Sequence, residues 1–179
     1  MTSRQQAQWV LRAQCDDREA IEQLLGSVQP ALARYIRALV GARHADDIVQ
    51  EVLVTIYRKL SSLSSPDLLR PWMFRIASRA AFRYVERERR WPDRLRDDEA
   101  LADIAAPDVH DASRYVDQLL EDDRVTPACR AVLALHFKEG MTLPEVAAVL
   151  DIPLGTAKSR LSYGLAALRR RHRTGADHD

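Results

Sequence analysis

Cysteine is nearly absent: only Cys15 and Cys129 occur in 179 residues. Neither has a second thiol or a histidine at metal-ligand spacing, which excludes a disulfide framework and a cysteine zinc site and fits free thiols in a reducing compartment. The five histidines (44, 110, 136, 172, 178) form no ligand cluster, so no metal is expected. Glycine and proline number six and eight and gather at boundaries, and no glycine-rich phosphate loop is present. No apolar run approaches the roughly 20 residues that span a bilayer, and Met1-Thr2-Ser3-Arg4-Gln5 carries no signal-peptide core. The expectation is a cytoplasmic protein with no membrane insertion of its own. Ser-His-Asp and Cys-His arrangements are missing too, so neither catalytic residues nor a cofactor are expected. Period-two alternation is also lacking, which leaves an all-α chain.

What is present is concentrated between Gly140 and Gly164, GMTLPEVAAVLDIPLGTAKSRLSYG. Thr142 opens a helix with Glu145 three residues on, the pattern of a reciprocal N-terminal cap. Leu143, Val146, Ala147 and Leu150 give that helix one apolar face. Asp151-Ile152-Pro153 makes the turn, since proline cannot continue a helix and Asp tolerates the left-handed conformation. A second helix follows, burying Ala157, Leu161, Gly164, Leu165 and Leu168. Its other face holds Gly155, Ser159 and Ser162, edged by Thr156 and Tyr163, with Lys158 and Arg160 as flanks and Arg169, Arg170 and Arg171 at the far end. Short polar groups between cations suit a helix lying in the major groove, so this is a helix-turn-helix signature.

Net charge is only +1, but it is unevenly spread. Arg70 to Arg96 holds nine arginines against three acids, +6; Asp97 to Arg124 holds ten acids against two arginines, −8; Gly140 to Arg173 holds six basic residues against two acids, +4. Two basic segments around an acidic one read as two nucleic-acid surfaces joined by a connector. Periodicity predicts helices near 3–14, 17–25, 28–41, 46–61, 70–90, 113–122, 126–138, 142–150 and 154–171. The weakly periodic, acidic stretch 92–112 is a linker between an N-terminal helical domain, 1–91, and a C-terminal helix-turn-helix domain, 113–179.

Two more helices carry outward chemistry. In 46–61, Val49, Val52, Ile56 and Leu60 form the core stripe, while Asp47, Gln50, Glu51, Val54 and Arg58 point away. An acidic face around one apolar residue suits a protein partner, although Asp46 and Asp47 also suit the positive end of a helix dipole. In 70–90, Met73, Ile76, Ala77, Ala80 and Tyr84 face inward, and the outward strip holds Arg75, Ser78, Arg79, Phe82, Arg83 and Glu86 with Trp72 at its edge. Cations interleaved with rings hold phosphates and stack on unpaired bases. The polar loop Ser61 to Asp67 before this helix is suited to receive an unstacked base.

These segments together resemble the extracytoplasmic-function (ECF) sigma factors of bacteria, compact promoter-recognition subunits of RNA polymerase, over most of the chain. ADDIVQEVLVTIYRKL (Ala45 to Leu60) is similar to the family's core-binding helix, RPWMFRIASRAAFRYVERERR (Arg70 to Arg90) to its melting and minus-ten helix, and Thr142 to Leu168 to its minus-thirty-five reader. The resemblance implies polymerase binding by Asp47, Gln50, Glu51 and Val54. It implies minus-ten contacts by Trp72, Arg75, Ser78, Arg79, Phe82 and Arg83, and minus-thirty-five contacts by Gly155, Thr156, Lys158, Ser159, Arg160, Ser162 and Tyr163. Partners implied are core polymerase, promoter DNA and an inhibitory anti-sigma protein. Three positions depart from the family pattern: Arg79 stands for a common Asn, Arg83 for a frequent Asp, and Asp151 for a frequent Gly.

Two other readings compete. A helix-turn-helix regulator with a sensory or dimerising N-terminal bundle explains Thr142 to Leu168 but neither the arginine-aromatic helix nor the acidic face. An all-α enzyme holding magnesium through Asp46, Asp47 and Glu51 needs a second acidic cluster on a facing helix, and none is evident.

Overall fold

The computed structural model describes residues 3–89, 116–117, 120 and 125–175, with side chains over 4–88, 116–117, 120 and 125–167. Among the described residues every regular element is helical. The chain divides into two compact units, Met1–Tyr84 and Val85–Asp179, a division that falls inside a helix. The linker expected at 92–112 and most of the helix expected at 113–122 lie outside the described residues.

The first unit contains α1 (Ser3–Gln14), α2 (Arg18–Val40), α3 (Ala42–Lys59), two 3₁₀ turns (Leu60–Ser62 and Pro66–Leu68), and α4 (Leu69–Arg89), which runs past the division. Asp17 caps α2 by accepting the Ala20 N–H at 3.2 Å. Two helices were expected over 17–41, separated at Gly26 and Ser27; the structure has one, with Pro30 inside it. Proline removes one helical hydrogen bond and strains the turn before it. Against that cost, Ala20, Leu24, Val28, Leu32, Ile36 and Leu39 form an unbroken buried stripe, and their burial decides the outcome. Gly41 alone joins α2 to α3. Its φ of +80° suits glycine, and its N–H reaches the Arg37 carbonyl at 2.9 Å.

The joint between α2 and α4 is polar at its centre. Tyr35 meets Phe74 edge-on, with ring centroids 5.3 Å apart. Its hydroxyl lies 2.7 Å from Ser78 Oγ, and Ser78 in turn donates to the Phe74 carbonyl at 2.7 Å. Ser78 was expected on the outward strip; it is 2% exposed and belongs to the core. A serine that bonds the carbonyl four residues back satisfies itself within its own helix, so it can be buried cheaply. Gln14, at the end of α1, donates to the carbonyls of Leu60 (3.0 Å) and Leu63 (2.8 Å) and so ties down the turn that follows α3.

The second unit contains α5 (Pro127–Leu133), a π-helical turn (Ala134–Lys138), α6 (Leu143–Leu150) and α7 (Leu154–Gly175). The single helix expected over 126–138 changes its hydrogen bonding at Ala134, and the Glu139 N–H reaches back five residues to the Ala134 carbonyl at 3.1 Å. α7 approaches α5 so closely that a Cβ built on Gly164 would stand 2.8 Å from Leu133 Cδ1, and Leu133 is fully buried. Glycine is therefore what lets these helices meet at that distance.

Candidate functional site

On α3 the buried residues are Ala45, Ile48, Val49, Val52 and Ile56, followed by Leu60 in the 3₁₀ turn. Asp47, Gln50 and Glu51 are exposed on the other side, and Val54 is 47% exposed among them. Tyr57, three residues beyond Val54 and seven beyond Gln50, is 53% exposed on the same stripe. Sequence reasoning omitted it, although extending the helical period one more turn from Val54 would have reached it. Because α3 begins at Ala42 rather than near 46, Asp46 and Asp47 sit beyond the first turn, where the helix dipole has little hold on them. The face thus consists of carboxylates around an apolar centre, free of any role in the core.

On α4, Arg75, Arg79 and Arg83 recur every four residues and are all exposed, which makes one cationic stripe. Trp72 and Phe82 are half-buried beside it, so each side chain is partly within reach of a ligand lying along the stripe. Met73, Ala77 and Ala80 are buried as expected, Ile76 and Tyr84 are half-buried, and Phe74 and Ala81 join the core without having been anticipated. Arg83 Nη2 lies 2.8 Å from Glu51 Oε1, so the cationic stripe of α4 and the acidic face of α3 touch at one ion pair.

In the second unit the cap of α6 forms as its sequence dictates: the Glu145 N–H reaches Thr142 Oγ1 at 3.4 Å, and the Thr142 N–H reaches Glu145 Oε2 at 2.7 Å. Val146, Ala147 and Val149 are buried, with Leu143 and Leu150 half-buried. Asp151 takes the left-handed conformation, φ 58° and ψ 47°. α7 starts at Leu154 and buries Ala157, Leu161, Gly164 and Leu165; Leu168 lies beyond the described side chains, as do Arg169, Arg170 and Arg171. Gly155 and Lys158 are exposed, and Thr156, Ser159, Arg160, Ser162 and Tyr163 are half-buried. Ser159 donates to the Gly155 carbonyl at 3.0 Å, so in this state its oxygen offers lone pairs to an outside donor. Leu154, 39% exposed at the head of the helix, is an outward apolar residue that sequence reasoning left out.

Among the described residues no helix is long and apolar enough to cross a membrane, and no group of three metal-ligating side chains gathers.

The sequence matches two family models, Sigma-70 region 2 over residues 24–91 and Sigma-70, region 4 over residues 123–170. The first covers α3 and α4, the second the helix-turn-helix. RNA polymerase sigma-H factor of Pseudomonas aeruginosa is 30% identical, over 90% of this chain and 90% of its own length. ECF RNA polymerase sigma-E factor of Escherichia coli K12 is 26% identical, over 85% and 86%. The fold is shared with solved structures. CnrH in complex with the cytosolic domain of CnrY has a TM-score of 0.64 at 22% identity, covering 95% of this chain and 98% of that one. The sigma factor RpoE in complex with the anti-sigma factor NepR from Bartonella quintana has a TM-score of 0.60 at 21% identity, covering 83% and 94%. With its acidic face on α3, its cationic α4 and its helix-turn-helix within the matched regions 2 and 4, the chain belongs to the ECF sigma factors, which bind RNA polymerase and direct it to promoters.

Proposed function

We propose a division of labour among three surfaces. Asp47, Gln50, Glu51 and Val54, extended by Tyr57, dock on a basic surface of core polymerase. Arg75, Arg79 and Arg83 hold the backbone of the melted minus-ten strand, with Trp72 or Phe82 against an unpaired base. Ser78 drops out of this set because it is buried. Gly155, Thr156, Ser159, Ser162 and Tyr163 read the minus-thirty-five element, while Lys158 and Arg160 hold its phosphates. The chain contributes recognition and strand separation and no catalytic chemistry. Its working place is the cytoplasm, where an anti-sigma protein holds it inactive, as the complexes of CnrH and RpoE suggest by analogy. The three surfaces are divided between a core-binding and minus-ten domain at 1–91 and a minus-thirty-five domain at 113–179, with a linker at 92–112.

The observation that carries this reading is the polarity of α7. Leu154 is outward, but Ala157, Leu161, Leu165 and Ala167 are spent on the core, and the small polar groups of the helix crowd its N-terminal half, the part of a recognition helix nearest base edges. With the protein assembled on core polymerase, Lys158→Ala is expected to weaken binding to all promoter sequences alike and to flatten the salt dependence. Ser162→Ala is expected to change preference among minus-thirty-five variants, by roughly 1–3 kcal/mol per lost base contact. Competition binding across a panel of single-base promoter variants reads both. An equal loss on every sequence from both substitutions would remove base readout from α7.

A further inference from the structure

The contact between Glu51 and Arg83 joins two surfaces that act on different partners. Arg83 Nη2 and Glu51 Oε1 are 2.8 Å apart across 32 residues of sequence, and the side chains are 65% and 49% exposed. We propose that this pair is exchanged during assembly. In the free protein Glu51 neutralises Arg83; when polymerase takes the acidic face of α3, its cations replace Arg83 at the carboxylate, and the guanidinium turns to a phosphate of the unpaired strand. The inference rests on the roles proposed above for α3 and α4.

Solvent exposure is what makes the exchange feasible. A buried pair would cost several kcal/mol to break, because one charge would be left stranded in a poor solvent. An exposed pair is held only weakly, and its two ends lose little on parting if each finds a new partner. Arg83 is in register with Arg75 and Arg79, so a phosphate chain along that stripe runs directly to it. A guanidinium carrying a carboxylate contributes less to that chain than a free one, in charge and in donors. Linkage then works in both directions: if polymerase binding frees Arg83 for the strand, strand binding by Arg83 strengthens polymerase binding by the same factor.

The test uses the full chain and a fluorescent oligothymidylate, with anisotropy followed over a range of salt, first without and then with core polymerase. Without polymerase, Glu51→Gln is expected to tighten oligonucleotide binding about twofold to fivefold and to steepen the log–log salt slope by about 0.7, the value of one single-strand phosphate contact. Arg83→Gln is expected to weaken binding more in the Glu51→Gln background than in the wild type, and the double variant loses the gain. With polymerase bound to the wild-type chain, Arg83→Gln costs the larger amount. An equal loss in both backgrounds of the free protein would overturn the exchange while leaving the strand-binding stripe intact. If neither Arg79→Gln nor Arg83→Gln changes binding in any background, the stripe itself is misassigned and the exchange falls with it.

Discussion

Reversing two charges on α3, Asp47→Lys with Glu51→Lys, is expected to abolish association with core polymerase while leaving the fold almost untouched. Both residues are exposed, and the hydrophobic stripe of α3 lies on its opposite side. The stability cost is confined to the exposed ion pair between Glu51 and Arg83, about 1 kcal/mol or less, together with a small repulsion between Arg83 and the cation that replaces the carboxylate. At an interface the same changes act differently. Each puts a cation where the partner presents one, at several kcal/mol apiece, so two such reversals reduce affinity by a factor of roughly a thousand or more. Gel filtration with core polymerase reads the association, and a thermal melt reads the fold. Normal association by the double variant, with the melt unchanged, would remove the acidic face from polymerase binding.

A second large effect is expected on strand opening. Arg79→Ala combined with Phe82→Ala should leave polymerase binding in place, because neither residue lies on α3, yet should block formation of the open complex. Arg79 is exposed in the middle of the stripe, and Phe82 is half-buried beside it. Stacking of a base on an aromatic ring is worth about 1–3 kcal/mol, and a phosphate contact adds to it. Together these are enough to shift a closely balanced opening equilibrium by two or more powers of ten. Phe82→Ala also removes packing, so Arg79→Ala alone serves as the variant with an undisturbed core. Permanganate reactivity of thymines in the minus-ten region reports opening directly. A promoter melted in advance should rescue much of the loss, and normal reactivity on duplex promoter would sink the assignment.

The parts of this chain that could be read from sequence are those settled by local chemistry or by a clean period. Thr142 and Glu145 cap α6 within one turn, Asp151 adopts the conformation its short polar side chain tolerates, and the α3 stripe follows from the spacing of Val49, Val52 and Ile56. The failures share a different cause. Pro30 stays inside α2 because burial of the stripe that straddles it, Leu24, Val28, Leu32 and Ile36, outweighs the local cost of proline, and residue type at 26–30 points the other way. Ser78 reads as polar and therefore outward, yet its hydroxyl finds the Phe74 carbonyl in its own helix and Tyr35 on another. The π-helical turn at Ala134–Lys138 likewise has no signature in residue type. For the surfaces, residue types pointed to the faces of α3 and α4, but only coordinates reveal that Glu51 and Arg83 touch.

The buried joint between Tyr35 and Ser78 also gives the first unit an optical handle. Burial drives the Tyr35 phenol well above the ordinary tyrosine value near 10, and the hydrogen bond with Ser78 offsets this only in part. Tyr57, Tyr84 and Tyr163 are exposed or half-buried, whereas Tyr35 is enclosed and keeps its proton for as long as the unit stays folded. The folded state thus holds a proton that the unfolded state releases, so this contribution to stability is whole below about pH 10 and drains away as pH rises beyond it. Phenolate absorbance should therefore rise in two stages, the later one coinciding with loss of helical circular dichroism. A rise in ultraviolet absorbance at high pH becomes a clock for the opening of the α2–α4 joint.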